Sequence, residues 1–170
     1  MPADSLGSNA QEELYRSFSG RVAAYIASLL PSSPAIPDLT HDVFVKAFQS
    51  HSSYQGETRA IGGWLFAIAR NTVTDHARRT TRTASEAPAS IDRRREAARR
   101  DDHPDWGDYA TIHELVDELP RAQREVVVLH YCAGLDTAEV AVAVDRSPDA
   151  VRHLEQRALT ALRNRLGERP

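Results

Sequence analysis

From Thr80 to about Asp108 the sequence holds almost no large apolar side chain, Ile91 and Trp106 being the main exceptions. Such a stretch cannot bury enough surface to offset the entropy of ordering it, so it reads as a linker between two folded units. The segment "DRRREAARR" inside it is compatible with transient helix. The expected division is a disordered N-terminus at 1–10, a first unit at 11–79, the linker at 80–110, a second unit at 111–166 and a tail at 167–170.

Outside the linker the apolar spacing is helical, and no segment alternates with the period of two that a half-buried strand requires. The fold class expected is all-α, with two small helical domains, an N-terminal bundle and a C-terminal helix-turn-helix, joined by a flexible linker. A first helix is predicted from about Gln11 to Leu30, with Leu14, Phe18, Val22, Tyr25, Ile26 and Leu29 on one stripe. Three prolines within "PSSPAIP" end it. A second helix, from about Asp38 to Ser50, buries Leu39, Val43, Phe44 and Phe48 and turns Asp38, His41, Asp42, Val45, Lys46 and Gln49 outward. "HSSYQGETRAIGG" reads as a loop. A third helix from about Trp64 to Arg79 places Trp64, Leu65, Ile68, Val73 and His76 along one side, Trp64 as a core residue.

On the second helix Asp38, His41 and Asp42 stand at i, i+3 and i+4, a face that could hold a metal ion or meet a partner protein. Two carboxylates and one imidazole without further clustered ligands make a weak metal site, and no metal or other cofactor is expected. The lone cysteine, Cys132, cannot form an internal disulfide, and its apolar neighbours predict a small buried side chain. No run approaches the roughly 18 apolar residues that cross a membrane, and the N-terminal residues resemble no leader, so a cytoplasmic protein is expected.

A net charge of −3 argues against a polyanionic partner, but its distribution reverses that impression. Nine arginines face four carboxylates from Trp64 to Arg100, seven carboxylates stand without Lys or Arg from Asp101 to Glu118, and five arginines face two carboxylates from Arg146 to Arg165. Two basic segments thus flank an acidic one.

The second unit carries the sharpest local signals. A short helix bearing Ile112, Leu115, Val116 and Leu119 ends at Pro120, and the next runs from Arg121 to Ala133, where Gly134 suits a left-handed cap. Asp136 with Glu139 three residues on forms the pattern of a capping box for a short helix ending near Val144. Ser147 as N-cap, Pro148 in the first turn and Asp149 at the positive end of the dipole open a long helix reaching about Leu166. Short helix, tight turn and long basic helix is the spacing of a helix-turn-helix. In such a unit the second helix enters the major groove. Val151, Leu154, Ala158 and Leu162 are placed inward here, leaving Arg146, Arg152, His153, Gln156, Arg157 and Arg163 for DNA.

The segment "LPRAQREVVVLHYCAGLDTAEVAVAVDRSPDAVRHLEQRALTALRNRL" resembles the C-terminal domain of bacterial sigma factors of the extracytoplasmic-function (ECF) type, in the sigma-70 family. "DLTHDVFVKAF", "YQGE" and "WLFAIARNTVTDHARR" resemble, in order, that family's N-terminal domain. The resemblance covers about 13–79 and 111–166. It implies an alternative sigma factor with no active site of its own, whose partners are core RNA polymerase, through the β′ clamp helices and the β flap, and promoter DNA, with an anti-sigma factor as a further candidate. It implies that Asp38, His41, Asp42, Lys46 and Gln49 dock on polymerase. It further implies that Tyr54, Arg70, Asn71, Arg78 and Arg79 serve the −10 element, Asn71 receiving a flipped base, and that Arg146, Arg152, His153, Gln156 and Arg157 meet the −35 element. The sequence departs from the family pattern in the added residue and paired Gly62 and Gly63 before Trp64, in Asp145 where the turn usually holds Gly, and in Leu154 and Glu155 of the recognition helix. These last changes leave the helix's rotation about its axis open. The rival readings are a polymerase-independent helix-turn-helix regulator and a metal-dependent helical enzyme built on Asp38, His41 and Asp42.

Overall fold

The computed structural model describes residues 8–51, 60–84 and 114–167. Its elements are α1 (Ser8–Leu29), α2 (Ile36–Ser50), α3 (Ile61–Ala84), a helical turn at 114–117, α4 (Arg121–Val127), which continues as a π-helical turn over Val128–Cys132, α5 (Thr137–Val144) and α6 (Pro148–Gly167). No strand occurs among the described residues. None of the described helices is long and apolar enough to cross a membrane. The first helix starts three residues before its expected position and α3 continues five past Arg79, so both boundaries of the first unit move outward.

The stripes expected on α1 and α2 face the core, whereas on α3 the expected stripe is only partly right. Leu65 and Val73 are buried, but Trp64, Ile68 and His76 are half-buried. Phe66 and Ala69, outside the expected stripe, are fully buried because this face meets α1, α2 and α5 together. Leu14, Val22, Tyr25 and Ile26 of α1 meet Leu39, Val43, Phe44 and Ala47 of α2 and Leu65, Phe66, Ala69 and Val73 of α3. Trp64 packs against this core from its edge, as expected. Tyr25 and Phe66 meet edge-on with ring centroids 5.4 Å apart, the geometry aromatic quadrupoles favour.

In the second unit Asp136 accepts a hydrogen bond from the Glu139 amide, and the Glu139 carboxylate accepts one from the Asp136 amide, each at 2.9 Å, completing the capping box. Gly134 (φ +68°) closes the preceding helix, and Asp145 takes the left-handed conformation (φ 54°) between α5 and α6. Asp is among the few side chains that visit this region at modest cost. Ser147 Oγ accepts from the Ala150 amide at 3.2 Å, the N-cap expected for α6. Cys132 corrects its sequence reading, for it is exposed. The π-helical turn, in which Ala133 N–H donates to Val128 C=O at 2.9 Å, inserts one extra residue into the helical period, so Leu129 and Ala133 stay buried while Tyr131 and Cys132 turn to the surface. Partial burial still pushes the Cys132 thiol up.

The two units pack together, which their sequences did not announce. One continuous core runs from Leu14 through Val73 into Val126, Leu129, Leu135, Val140 and Val151. The glycines read as loop lie in the first turn of α3 and are both buried. A Cβ on Gly62 would stand 2.6 Å from a Glu139 carboxylate oxygen, and one on Gly63 would stand 2.6 Å from the Glu139 carbonyl oxygen and 2.9 Å from its Cα. Only glycine lets the α3 backbone approach α5 this closely. Across the same interface the Glu125 side chain, 4% exposed, accepts hydrogen bonds from Tyr25 Oη and Arg70 Nε, each at 2.8 Å. Burial, and then the Glu125 charge, pushes the Tyr25 phenol up. Arg21, stacked 4.5 Å over the Phe18 ring, donates to the Ala133 carbonyl at the end of the π-helical turn.

Two substitutions check this interface. Gly63→Val forces side chain against backbone, so small-angle scattering should register a larger radius of gyration at unchanged helix content. Tyr25→Phe leaves a buried carboxylate one donor short and should lower stability by about 1–2 kcal/mol in urea titration. Wild-type values for both variants would show that the units do not depend on these contacts.

Candidate nucleic-acid and polymerase interfaces

Three surfaces carry the residues singled out by sequence. On α2, Asp38, His41, Asp42, Lys46 and Gln49 are all exposed on one face, while the opposite face holds Leu39, Val43, Phe44 and Ala47 in the core. Lys46 Nζ donates to Thr72 Oγ1 of α3 at 3.1 Å, so it is partly tethered. Asp38 sits in the first turn, where the helix dipole favours a carboxylate. Among the described residues no three His, Cys, Asp or Glu side chains gather where they could hold a metal ion, so nothing in the structure favours the metal-site reading.

The second surface is a groove of about 680 Å³ between α3 and the C-terminal unit. Arg70, Asn71 and Arg78 line it from α3, and Arg121 and Arg146 from the other side, with Asp75 and Glu125 as its carboxylates. Four guanidiniums against two carboxylates make it a basic channel. Arg146 had been grouped with the −35 residues, yet in this packing it shares the groove with the −10 set. Arg121, at the start of α4, lines the same groove, and no local sequence signal marks it, because the groove forms only when the two units pack. Arg79 is exposed outside the groove, its Nε donating to the Asp75 carbonyl at 3.3 Å. Tyr54 lies outside the described residues.

The third surface is α6. Val151 and Ala158 are fully buried, and Leu154 and Leu162 pack inward, as the apolar spacing requires. Arg152, His153, Gln156, Arg157 and Arg163 are exposed. His153, Gln156 and Arg157 line a shallow groove of about 570 Å³ together with Gln123, Thr160 and Asn164. Arg152 lies outside that groove and pairs with Asp149 one turn earlier on its own helix. Glu155, which stands where the family usually has an apolar residue, is not wasted burial: its carboxylate accepts a hydrogen bond from Tyr131 Oη at 2.8 Å. That bond, followed by partial burial, pushes the Tyr131 phenol up.

A short capped helix, a left-handed turn and a long helix with an arginine-rich outer face together define a protein of the helix-turn-helix class. Comparison with known proteins makes the assignment narrower. The family model of sigma-70 region 2 matches residues 14–83, and that of sigma-70 region 4 matches residues 109–162. The ECF RNA polymerase sigma factor ShbA of Streptomyces griseus is 32% identical over 135 residues, covering 75% of this chain and 70% of its own length. BldN of Streptomyces coelicolor, also an ECF sigma factor, is 28% identical over 162 residues, covering 94% of this chain, which spans 60% of that relative. Among solved structures, CnrH in complex with the cytosolic domain of CnrY superimposes with a TM-score of 0.69 at 24% identity, covering 98% of this chain and 94% of that one. RpoE of Bartonella quintana in complex with NepR gives 0.69 at 20% identity, covering 94% and 98%. These two likenesses establish the fold. The chain belongs to the ECF sigma factors of the sigma-70 family.

The Arg152–Asp149 pair is solvent-exposed, so holding it contributes little to stability, while it would compete with any phosphate or base offered to the guanidinium. Asp149→Ala should therefore strengthen binding of duplex DNA severalfold at low salt, at a loss of about 0.5 kcal/mol from the helix N-terminus. Fluorescence anisotropy across a salt series checks it, and unchanged or weaker binding would remove Arg152 from the DNA face.

Proposed function

We propose that this chain confers promoter recognition and melting on core RNA polymerase as an alternative sigma factor. The observation that carries the reading is the combination of regions 2 and 4, in that order, with an α2 outer face left uncovered by the other described residues. A polymerase-independent regulator has no need of region 2. In this reading Asp38, His41, Asp42, Lys46 and Gln49 dock on the β′ clamp helices, and the C-terminal unit lies near the β flap. Arg152, His153, Gln156 and Arg157 read the −35 element, and Asn71 captures a −10 base, its carboxamide offering donor and acceptor at once. Arg70, Arg78 and Arg79 neutralise phosphates. The chain contributes no reacting group, and the chemistry belongs to polymerase. An anti-sigma factor is a further proposed partner, and the cytoplasm the proposed location.

The packed arrangement adds a step. The two promoter elements are about 25 base pairs apart by their numbering, hence roughly 85 Å at about 3.4 Å per base pair. Units that share one core cannot reach both at once. Reading both elements requires separation, with Arg70 exchanging Glu125 for DNA. The 29 residues from 85 to 113 permit it, since a chain of that length reaches up to about 100 Å.

Transcription by reconstituted holoenzyme tests the assignment, together with charge reversal at Asp38 and Asp42. That double variant should lose core binding while remaining folded, because both residues are exposed. Undiminished polymerase affinity would dismiss the docking face. Reading and melting should also separate. Arg152→Ala is expected to weaken closed promoter complexes by about 1–3 kcal/mol and to be partly rescued by low salt. Asn71→Ala should bind the closed promoter nearly normally but open it poorly, and a template pre-melted at −10 should rescue Asn71→Ala more than Arg152→Ala. Permanganate footprinting reads the difference, and equal rescue of the two would show that Asn71 is not the melting residue.

A further inference from the structure

The fully buried anchors of α6 are small side chains, with Leu154 and Leu162 only partly buried beside them. Val151 and Ala158 are its fully buried residues, seven apart and so on one line of the helix, with Leu154 packed beside them. Anchors of this size locate the helix axis but resist rotation about it weakly. Rotation matters for reading. At a side-chain radius of about 6 Å, a turn of about 20° moves a contacting group by about 2 Å, more than a hydrogen bond to a base edge tolerates.

Two polar contacts between α6 and other segments oppose such a rotation. Arg165 donates to the Glu118 carboxylate at 2.5 Å near the far end of the helix, and Glu155 is held near the end that carries the exposed reading residues. The Glu155 side chain is only 17% exposed, and its Oε1 accepts from Tyr131 Oη at 2.8 Å and stands 3.8 Å from His130 Nδ1. The His130 and Tyr131 rings lie 5.0 Å apart and tilted by 33°, and both belong to the π-helical turn. His130 Nδ1 is buried without a hydrogen-bond partner, so this corner of the helix-turn-helix has one unspent donor or acceptor facing the same carboxylate. Tyr131 is 57% exposed, and its hydroxyl bond spans two helices. The extra residue of the π-helical turn is what aims Tyr131 at α6.

We propose that Glu155, held by Tyr131, is a positioning residue that sets the rotation of α6 and thereby which of its exposed side chains face the bases of the −35 element. Glu155 touches no DNA in this role. It acts through Gln156 and Arg157, the next residues on the helix, and through His153 on the turn before. The inference rests on the reading that α6 enters the major groove.

The test uses holoenzyme assembled from the full chain and core RNA polymerase, with a duplex library randomised across the upstream element. Wild-type selection supplies a preferred sequence, and the measured quantity is the ratio of affinities for preferred over scrambled duplex. Tyr131→Phe removes one hydroxyl and keeps the ring. It should lower that ratio about fivefold, the scale of one hydrogen bond of ordinary strength, with affinity for scrambled duplex unchanged and the protein still folded. Glu155→Gln keeps an acceptor and should retain the ratio, whereas Glu155→Leu should lose it as Tyr131→Phe does. The double variant Tyr131→Phe/Glu155→Leu should be no worse than either single, because both act through one bond. An unchanged ratio in Tyr131→Phe, additive losses, or an equal fall in both affinities overturns the positioning role. A wild-type holoenzyme that selects no upstream sequence overturns the DNA-reading assignment of α6 itself, a different failure from clear selection left untouched by Tyr131→Phe.

Discussion

The packing of this chain depends on a buried carboxylate. Glu125 sits in the fourth helix, away from water, and such a charge is tolerated only when its oxygens are satisfied. Two donors converge on its Oε1, and both come from the other unit, Tyr25 from α1 and Arg70 from α3. Removing the C-terminal unit would leave Tyr25 with an unpartnered hydroxyl, and removing the N-terminal unit would leave Glu125 bare unless water reached it. Apolar burial holds the units together, but it is indifferent to their relative angle. The paired hydrogen bonds are directional, and they select one arrangement from many that would bury similar area.

That arrangement has a consequence for function. Arg70 serves two masters: in the packed chain it neutralises Glu125, and in the proposed promoter complex it neutralises phosphate. The exchange is nearly balanced in kind, one charge-assisted bond for another, so separating the units depends chiefly on the apolar surface exposed between α3 and α5. The proposed docking face of α2 points away from the core and from that interface, so in the proposed function polymerase engages the packed chain before the two units part.

Much of the candidate site was legible because amphipathic spacing tells inside from outside. The five α2 residues and the four on α6 from Arg152 to Arg157 are exposed as their phase requires, and each cap in the second unit follows from a residue type suited to it. What spacing missed has specific causes. Gly62 and Gly63 carry no side chain to report burial, so a helical first turn pressed against another helix looks like loop. Cys132 was misplaced because a π-helical turn breaks the period from which its phase was read. Glu155 departed from the expected apolar type, and only Tyr131, 24 residues away, explains how its burial is satisfied.

The sequence by itself determined the helices, their inward and outward faces, the helix-turn-helix and the family, since all of these rest on local periodicity, capping chemistry and motif order. Tertiary structure alone decided that the units share a core, that Arg146 and Arg121 face Arg70 and Asn71 across one groove, and that Glu155 of α6 meets Tyr131 of the π-helical turn. The physical reason is separation along the chain. Tyr25 and Glu125 are 100 residues apart and Arg70 and Glu125 are 55 apart, and a hydrogen bond over such distances leaves no periodic trace in sequence, because its partners are fixed by where whole helices dock and not by where each residue lies on its own.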